Sequence, residues 1–321
     1  DFETTQLEEN IKKTNDVASN ENSKIEIEQN TTEHIEVNKE NEKKSNSSNK
    51  EINSTTKITQ TKNNMATKAT QKSNTTTSTI KTQEQKNNEL RNQLLSKYNV
   101  TIGYKDEVDG KYKNSYATPT KIYDDEVISY NLAKIETALK KYPKSFFSEI
   151  KNKWKPISIY LVDNINGYAA GLTDNSNSST IVILIVATHS PSSSILESTI
   201  HHEIMHAIDC YFTSKGIYTS YALEQSMMQF NPEGFSYGTQ SDSYVYLLNN
   251  PYYFISKYAK ANYKEDRAEV FANLMFRSYA TECFKIDNPV KEKAKLITSQ
   301  INQNFTSASS GNNRWDKLIA N

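Results

Sequence analysis

The chain has 321 residues, with 38 Lys and Arg against 38 Asp and Glu, so its formal charge is zero. That balance excludes the basic excess on which a dedicated nucleic-acid binder relies, and a hydrophobic fraction of 36% with mean hydropathy −0.75 is too low for every part of the chain to bury a core. No apolar run approaches the roughly 18–20 residues of a membrane-spanning helix, so no transmembrane segment and no nucleic-acid partner are expected.

The composition divides the chain in two. Tyr98 is the first aromatic after Phe2, Gly103 the first glycine and Pro119 the first proline, and all 20 tyrosines lie from Tyr98 onward. Residues 1–87 are mainly Asn, Thr, Ser, Lys, Glu and Gln and offset too little of the backbone ordering cost to fold, so they read as a disordered polar tether; residues 88–321 read as the folded domain. The sequence opens on Asp1 with no basic-then-apolar leader, which reads as a processed chain whose targeting segment is gone. Cys210 and Cys283 cannot make a disulfide framework and read as two buried thiols rather than one bridge.

Leu90, Leu94 and Leu95 suggest a short helix leading into the domain. Ile128, Leu132, Ile135, Leu139 and Tyr142 recur at steps of three and four, which predicts an amphipathic helix over 125–142, stopped by Pro143. Phe146, Phe147, Ile150 and Trp154 predict a second helix, and Pro156 introduces a strand over 157–162. Residues 180–188 form a continuous, mostly β-branched run, which reads either as a strand covered on both faces or as an edge that receives an extended peptide. Ser194 and Glu197 have capping-box spacing, predicting a helix over 195–212 with Gly216 as its terminator. The Ser-, Tyr- and Asn-rich stretch 213–250 predicts a long loop with short helical pieces, 252–277 a further helix, and Asn288-Pro289 the start of a last one.

Three of the five histidines fall within His201–His206, inside the helix predicted from Ser194. His202-Glu203-Ile204-Met205-His206 is a His-Glu-x-x-His pattern: spacing of four places both imidazoles on one helix face about one turn apart, close enough to share one metal ion. Glu203 would then stand beside a solvent molecule that it can deprotonate. A packed element carrying Ile195, Ile200, Ile204 and Ile208 must aim its histidine face into something, which disfavours ordinary surface histidines. His201, five residues from His206, lies on a diverging face and reads as non-ligating. A catalytic zinc keeps three protein ligands and one open position. The carboxylates of Glu265 and Glu269, at i and i+4 amid Ala268, Val270 and Phe271, are the best source of the third ligand, and spacing alone does not say which of them ligates.

The motif His202-Glu203-Ile204-Met205-His206-Ala207-Ile208-Asp209, followed downstream by a tyrosine, six residues and Glu265-Asp266-Arg267-Ala268-Glu269-Val270-Phe271, resembles the catalytic domain of the anthrax lethal factor and clostridial Pro-Pro endopeptidase family. The resemblance spans roughly residues 90–305 and is sharpest in the two motifs. It implies an α+β, zincin-like metallopeptidase domain with a small mixed sheet, an active-site helix and a helical C-terminal part. It further implies one Zn2+ ion held by His202, His206 and Glu265, with Glu203 and Tyr258 as catalytic residues and with Glu269 and Asp209 bracing the ligands from behind. Tyr263 competes for the tyrosine role, but on a continuous helix Tyr258 and Glu265 share a face while Tyr263 points away. Fifty-eight residues separate His206 from Glu265, a longer connection than the family implies.

The sequence therefore predicts a monomeric, secreted or cell-surface zinc endopeptidase acting on a protein or peptide substrate. Two other classes remain open: a non-catalytic surface binding module stabilised by zinc, and a toxin-like effector protease.

Overall fold

The computed structural model describes residues 80–112, 117–166, 169–238, 247, 252–276 and 283–319. The polar tract expected over 1–87 lies outside these residues except for 80–87, of which 83–87 are helical. Helix α1, Gln83–Tyr98, starts where Thr82 and Gln85 form a reciprocal capping box. The boundary expected at residue 87 thus falls inside a helix.

The fold is α+β. A five-stranded sheet comprises β1 (Val100–Gly103), β2 (Pro119–Lys121), β3 (Ile157–Ile165), β4 (Gly171–Asp174) and β5 (Ile181–Val186). Its main order is β1-β3-β5-β4, with β2 paired to β3. β1, β3 and β5 are parallel, in a register that sets Ile157 beside Ile181 and Val162 beside Val186, while β4 runs antiparallel to β5. The β-branched run at 180–188 is explained by burial on both faces. Ile181, Ile183 and Ile185 join the main helical core, whereas Val182 and Leu184 pack with Val108, Tyr160, Val162 and Ile165 in a second cluster. β5 lies between β3 and β4, so it is not the peptide-receiving edge that the sequence allowed; among the described strands β1 and β4 end the main order.

Helix α2, Asp125–Leu139, is capped by the Asp124 carboxylate, which accepts the amides of Glu126 and Val127. Helix α3 is Phe146–Lys153. Helix α4, Ile195–Ser214, begins without the expected capping box: Ser194 makes no side-chain cap, and Glu197 pairs with Lys141 instead. It ends as expected at Gly216, whose φ of +65° is costly for a residue with a Cβ, and the Ile217 amide bonds back to the Phe212 carbonyl. Helix α5, Ser220–Met228, is one of the short helical pieces expected in the long connection.

The helix expected over 252–277 is not continuous. A 3₁₀ turn, Tyr258–Lys260, precedes helix α6, Tyr263–Phe276. The Asn262 side chain accepts from the amides of Lys264 and Glu265 and so restarts the helix there. Helix α7, Pro289–Asn304, carries the expected proline in its first turn and an Asn288 cap. Helix α8, Arg314–Ile319, was not expected; it delivers Trp315, fully buried against Tyr142, Phe146 and Phe271. Cys210 is half-buried, Cys283 is buried, and no disulfide joins them. Among the described residues no helix is long and apolar enough to cross a membrane.

Candidate metal centre

Helices α4 and α6 pack against each other, and the pair brings together side chains 63 residues apart in the sequence. His202 and His206 project one turn apart from α4, their rings 4.7 Å between centroids and close to perpendicular at 82°. Glu265, from the first turn of α6, reaches between them. Its Oε2 lies 3.0 Å from His202 Nε2 and 3.3 Å from His206 Nε2, and the two Nε2 atoms are 3.1 Å apart. Among the described residues this is the one group of three such side chains able to hold an ion.

The donor set fits a single zinc. Ligand atoms at ~2.0–2.2 Å from a tetrahedral centre lie roughly 3.3–3.6 Å from one another, and the observed 3.0–3.3 Å needs only a few tenths of an ångström of opening. Tautomer supports the same reading. His202 Nδ1 is 3.0 Å from Glu269 Oε1, and a carboxylate can only accept, so Nδ1 carries a proton, while Nε2, 3.0 Å from Glu265 Oε2, is the nitrogen that a cation would occupy in place of its proton. Geometry separates the two glutamates: Glu265 faces the imidazole Nε2 atoms, and Glu269 stands behind His202.

Electrostatics favours positive charge here. Burial alone would lower the pKa of His202, but hydrogen bonds to Glu265 and Glu269 outweigh it and raise it to about 10. For Glu265, burial would raise the pKa, yet the imidazoles of His202 and His206 hold the carboxyl well below the usual range. The carboxylates that favour a proton on His202 equally favour any cation among these atoms. His201 is separate: fully buried, with Nδ1 2.9 Å from the Tyr142 hydroxyl, it is driven by burial to a pKa of about 4.

Glu203 is buried and turned toward the edge strand. Thr173 Oγ1, on β4, lies 2.7 Å from Glu203 Oε2 and 3.0 Å from the Glu203 carbonyl oxygen. Gly171 leaves room for it: a Cβ at that position would come within 2.7 Å of Glu203 Oε1 and of Thr199 Cγ2. Tyr258 reaches the site by a route the sequence misjudged. It belongs to the 3₁₀ turn ahead of α6 rather than to the helix of Glu265, and its ring lies 6.2 Å from that of His202 at an interplanar angle of 28°. Tyr263 opens α6 and is largely buried.

Asp209, expected to brace a ligand, does something else. Its two oxygens take the Arg267 Nε and Nη2 protons at 2.8 and 2.9 Å, a buried bidentate pair that clamps α4 to α6. Next to Glu265, Asp266 is fully buried and accepts from Lys293 Nζ and the Tyr237 hydroxyl, both at 2.7 Å. Thr173, Gly171, Lys293 and Tyr237 went unnoticed in the sequence because no spacing rule connects them to the motifs. Arg267 had one signal, its place inside the second motif.

A scan against protein-family models finds no match, and a search of curated proteins finds none. Among solved structures, the chain is similar to a proposed zinc-binding metallo-peptidase from Bacteroides caccae, at 17% identity and a TM-score of 0.42, over 74% of this chain and 92% of that one. A likeness at that level fixes neither a reaction nor a substrate.

Proposed function

We propose that this chain is a zinc-dependent endopeptidase in which His202, His206 and Glu265 hold one zinc ion. The observation that carries the reading is the convergence of those three donor atoms to within 3.0–3.3 Å, two of them from the helix that also presents Glu203 and the third from α6. A zinc bound there supplies a Lewis acid that acidifies water and polarises a carbonyl.

The chain's own groups do the rest. Glu203 takes a proton from the attacking water and returns it to the leaving amine, while Thr173 holds one carboxylate oxygen and so sets the direction of the other. Tyr258 donates to the oxyanion as the carbonyl carbon becomes tetrahedral, a contact that strengthens as charge develops. Among the described strands β4 ends the sheet, and its Thr173 bonds Glu203, so an extended peptide pairing with β4 would bring its scissile bond to the base.

The motif resemblance extends the proposal to a lethal factor-like or Pro-Pro endopeptidase-like enzyme, monomeric and secreted or held at a cell surface, with a protein substrate. The deciding experiment is Glu203→Gln, which should keep zinc and lose ~10²–10⁴ of the turnover on a cleavable peptide. Wild-type turnover in that variant would refute the base. Chelation that unfolds a wild-type protein unable to cleave any member of a peptide library would instead establish a zinc-stabilised binding module.

A further inference from the structure

Ser256 sits at the junction of two parts of the site that the sequence motifs treat separately. It is fully buried. Its Oγ donates to Glu269 Oε2 at 2.8 Å and accepts the Ala259 amide at 3.2 Å. A hydroxyl has one proton to give and lone pairs to receive, so both bonds form together. The other oxygen of Glu269 takes the His202 Nδ1 proton at 3.0 Å. Ala259 lies in the Tyr258–Lys260 turn, which presents the tyrosine ring to His202. An unbroken path of hydrogen bonds therefore runs from that turn through Ser256 and Glu269 to the imidazole.

We propose that Ser256 is a positioning residue that fixes the orientation of the metal ligand His202 and the placement of Tyr258 with a single hydroxyl. The proposal rests on the zinc-peptidase reading above. Without the hydroxyl, Glu269 Oε2 loses this donor and its carboxylate can turn away from Nδ1, while the turn loses the acceptor of its Ala259 amide. The first change loosens a ligand. The second moves a group that acts only when charge develops on the substrate, so it lowers kcat and spares KM.

The test uses the full chain. For Ser256→Ala, zinc affinity, measured with the metal alone against a chelating indicator, should fall about tenfold, the low end for an outer hydrogen-bond partner of a ligand. kcat at saturating zinc should also fall, with KM unchanged, and Ser256→Thr, which restores the hydroxyl, should recover both. In a double-mutant cycle at saturating zinc, Ser256→Ala and Tyr258→Phe should be non-additive in kcat, because both remove the same placed group. Ser256→Cys keeps a donor that is weaker and somewhat larger; it should give intermediate values and serves if the alanine variant does not fold.

A lower melting temperature with wild-type zinc affinity and kcat would overturn the proposal, since a purely structural role predicts that result. Additivity with Tyr258→Phe would overturn the link to the tyrosine. If the wild-type protein takes up no stoichiometric zinc, or if Glu203→Gln cleaves normally, it is the peptidase reading that fails, and the wild-type controls separate that outcome from a failure at Ser256.

Discussion

Replacing Arg267 by methionine removes one half of the clamp between the two ligand-bearing helices. Arg267 and Asp209 have side-chain exposures of 0% and 5%, so the variant leaves the Asp209 carboxylate buried without its partner. Breaking a buried pair from one side costs ~3–5 kcal/mol. The wild type already carries a penalty at this place, because among the described residues Arg267 Nη1 has no hydrogen-bond partner. Methionine abolishes that unsatisfied donor, itself worth ~1–3 kcal/mol, which puts the expected loss at the lower end, about 3 kcal/mol. Against a total stability of ~5–15 kcal/mol this is a large fraction, and at ~2–4 °C per kcal/mol for a domain of this size it lowers Tm by roughly 6–12 °C. Urea unfolding of the zinc-free protein measures it without confusion from metal binding. Removing both charges, Asp209→Leu with Arg267→Met, should recover most of the loss, because a well-packed apolar pair is often as stable as the ion pair it replaces. A loss below ~1 kcal/mol for the single variant, or a double variant no better than its worse parent, would refute the reasoning.

Glu265→Ala should lose stoichiometric zinc on dialysis, whereas Glu269→Gln should keep it with an affinity ~10–100-fold weaker; the reverse order in metal analysis would exchange the roles of the two glutamates. Thr173→Val removes a hydroxyl bonded to the Glu203 carboxylate, worth ~1.5 kcal/mol or more, so kcat should fall about tenfold with zinc content unchanged; an unaltered kcat would show that Glu203 needs no holder. Glu149 tests an electrostatic staple between α3 and the segment that follows α7. Its carboxylate accepts the Thr306 and Ser307 amides, both at 2.8 Å, and pairs with Lys153. Burial alone would raise its pKa, but Lys153 and those amides outweigh that and lower it to about 2. A carboxyl depressed on folding stabilises the protein above its unfolded pKa of ~4.3 and loses that contribution as pH falls toward the folded value. Glu149→Gln should therefore unfold more easily than wild type at pH 7, and the gap should close between about pH 5 and pH 2; a gap independent of pH would sink the assignment.

The chemistry of the site was legible in the sequence wherever it depends on helical periodicity. A spacing of four fixes two imidazoles on one face whatever the rest of the chain does, so His202 and His206 could be paired, and Glu203 set between them, before any tertiary contact was known. Proline, glycine and side-chain caps act within a few residues, which is why the helix starting at Pro289 and the stop at Gly216 were readable. The same local logic failed at Ser194 and at Asn262. A tertiary partner, Lys141, claims Glu197 in the first case. In the second, an asparagine cap divides what periodicity joined.

Tertiary structure decided what depends on approach between distant segments. Spacing could not choose between Glu265 and Glu269, because both lie on one helix face and only the packing of α6 on α4 sets which carboxylate meets Nε2 and which meets Nδ1. An apolar β-branched run looks the same at the centre of a sheet as at its edge, so only strand order moved the edge from β5 to β4 and so placed Thr173 and Gly171 beside Glu203. A local pattern names the groups that bring chemistry; the contacts that aim them come from side chains tens of residues away, whose positions no short-range rule encodes.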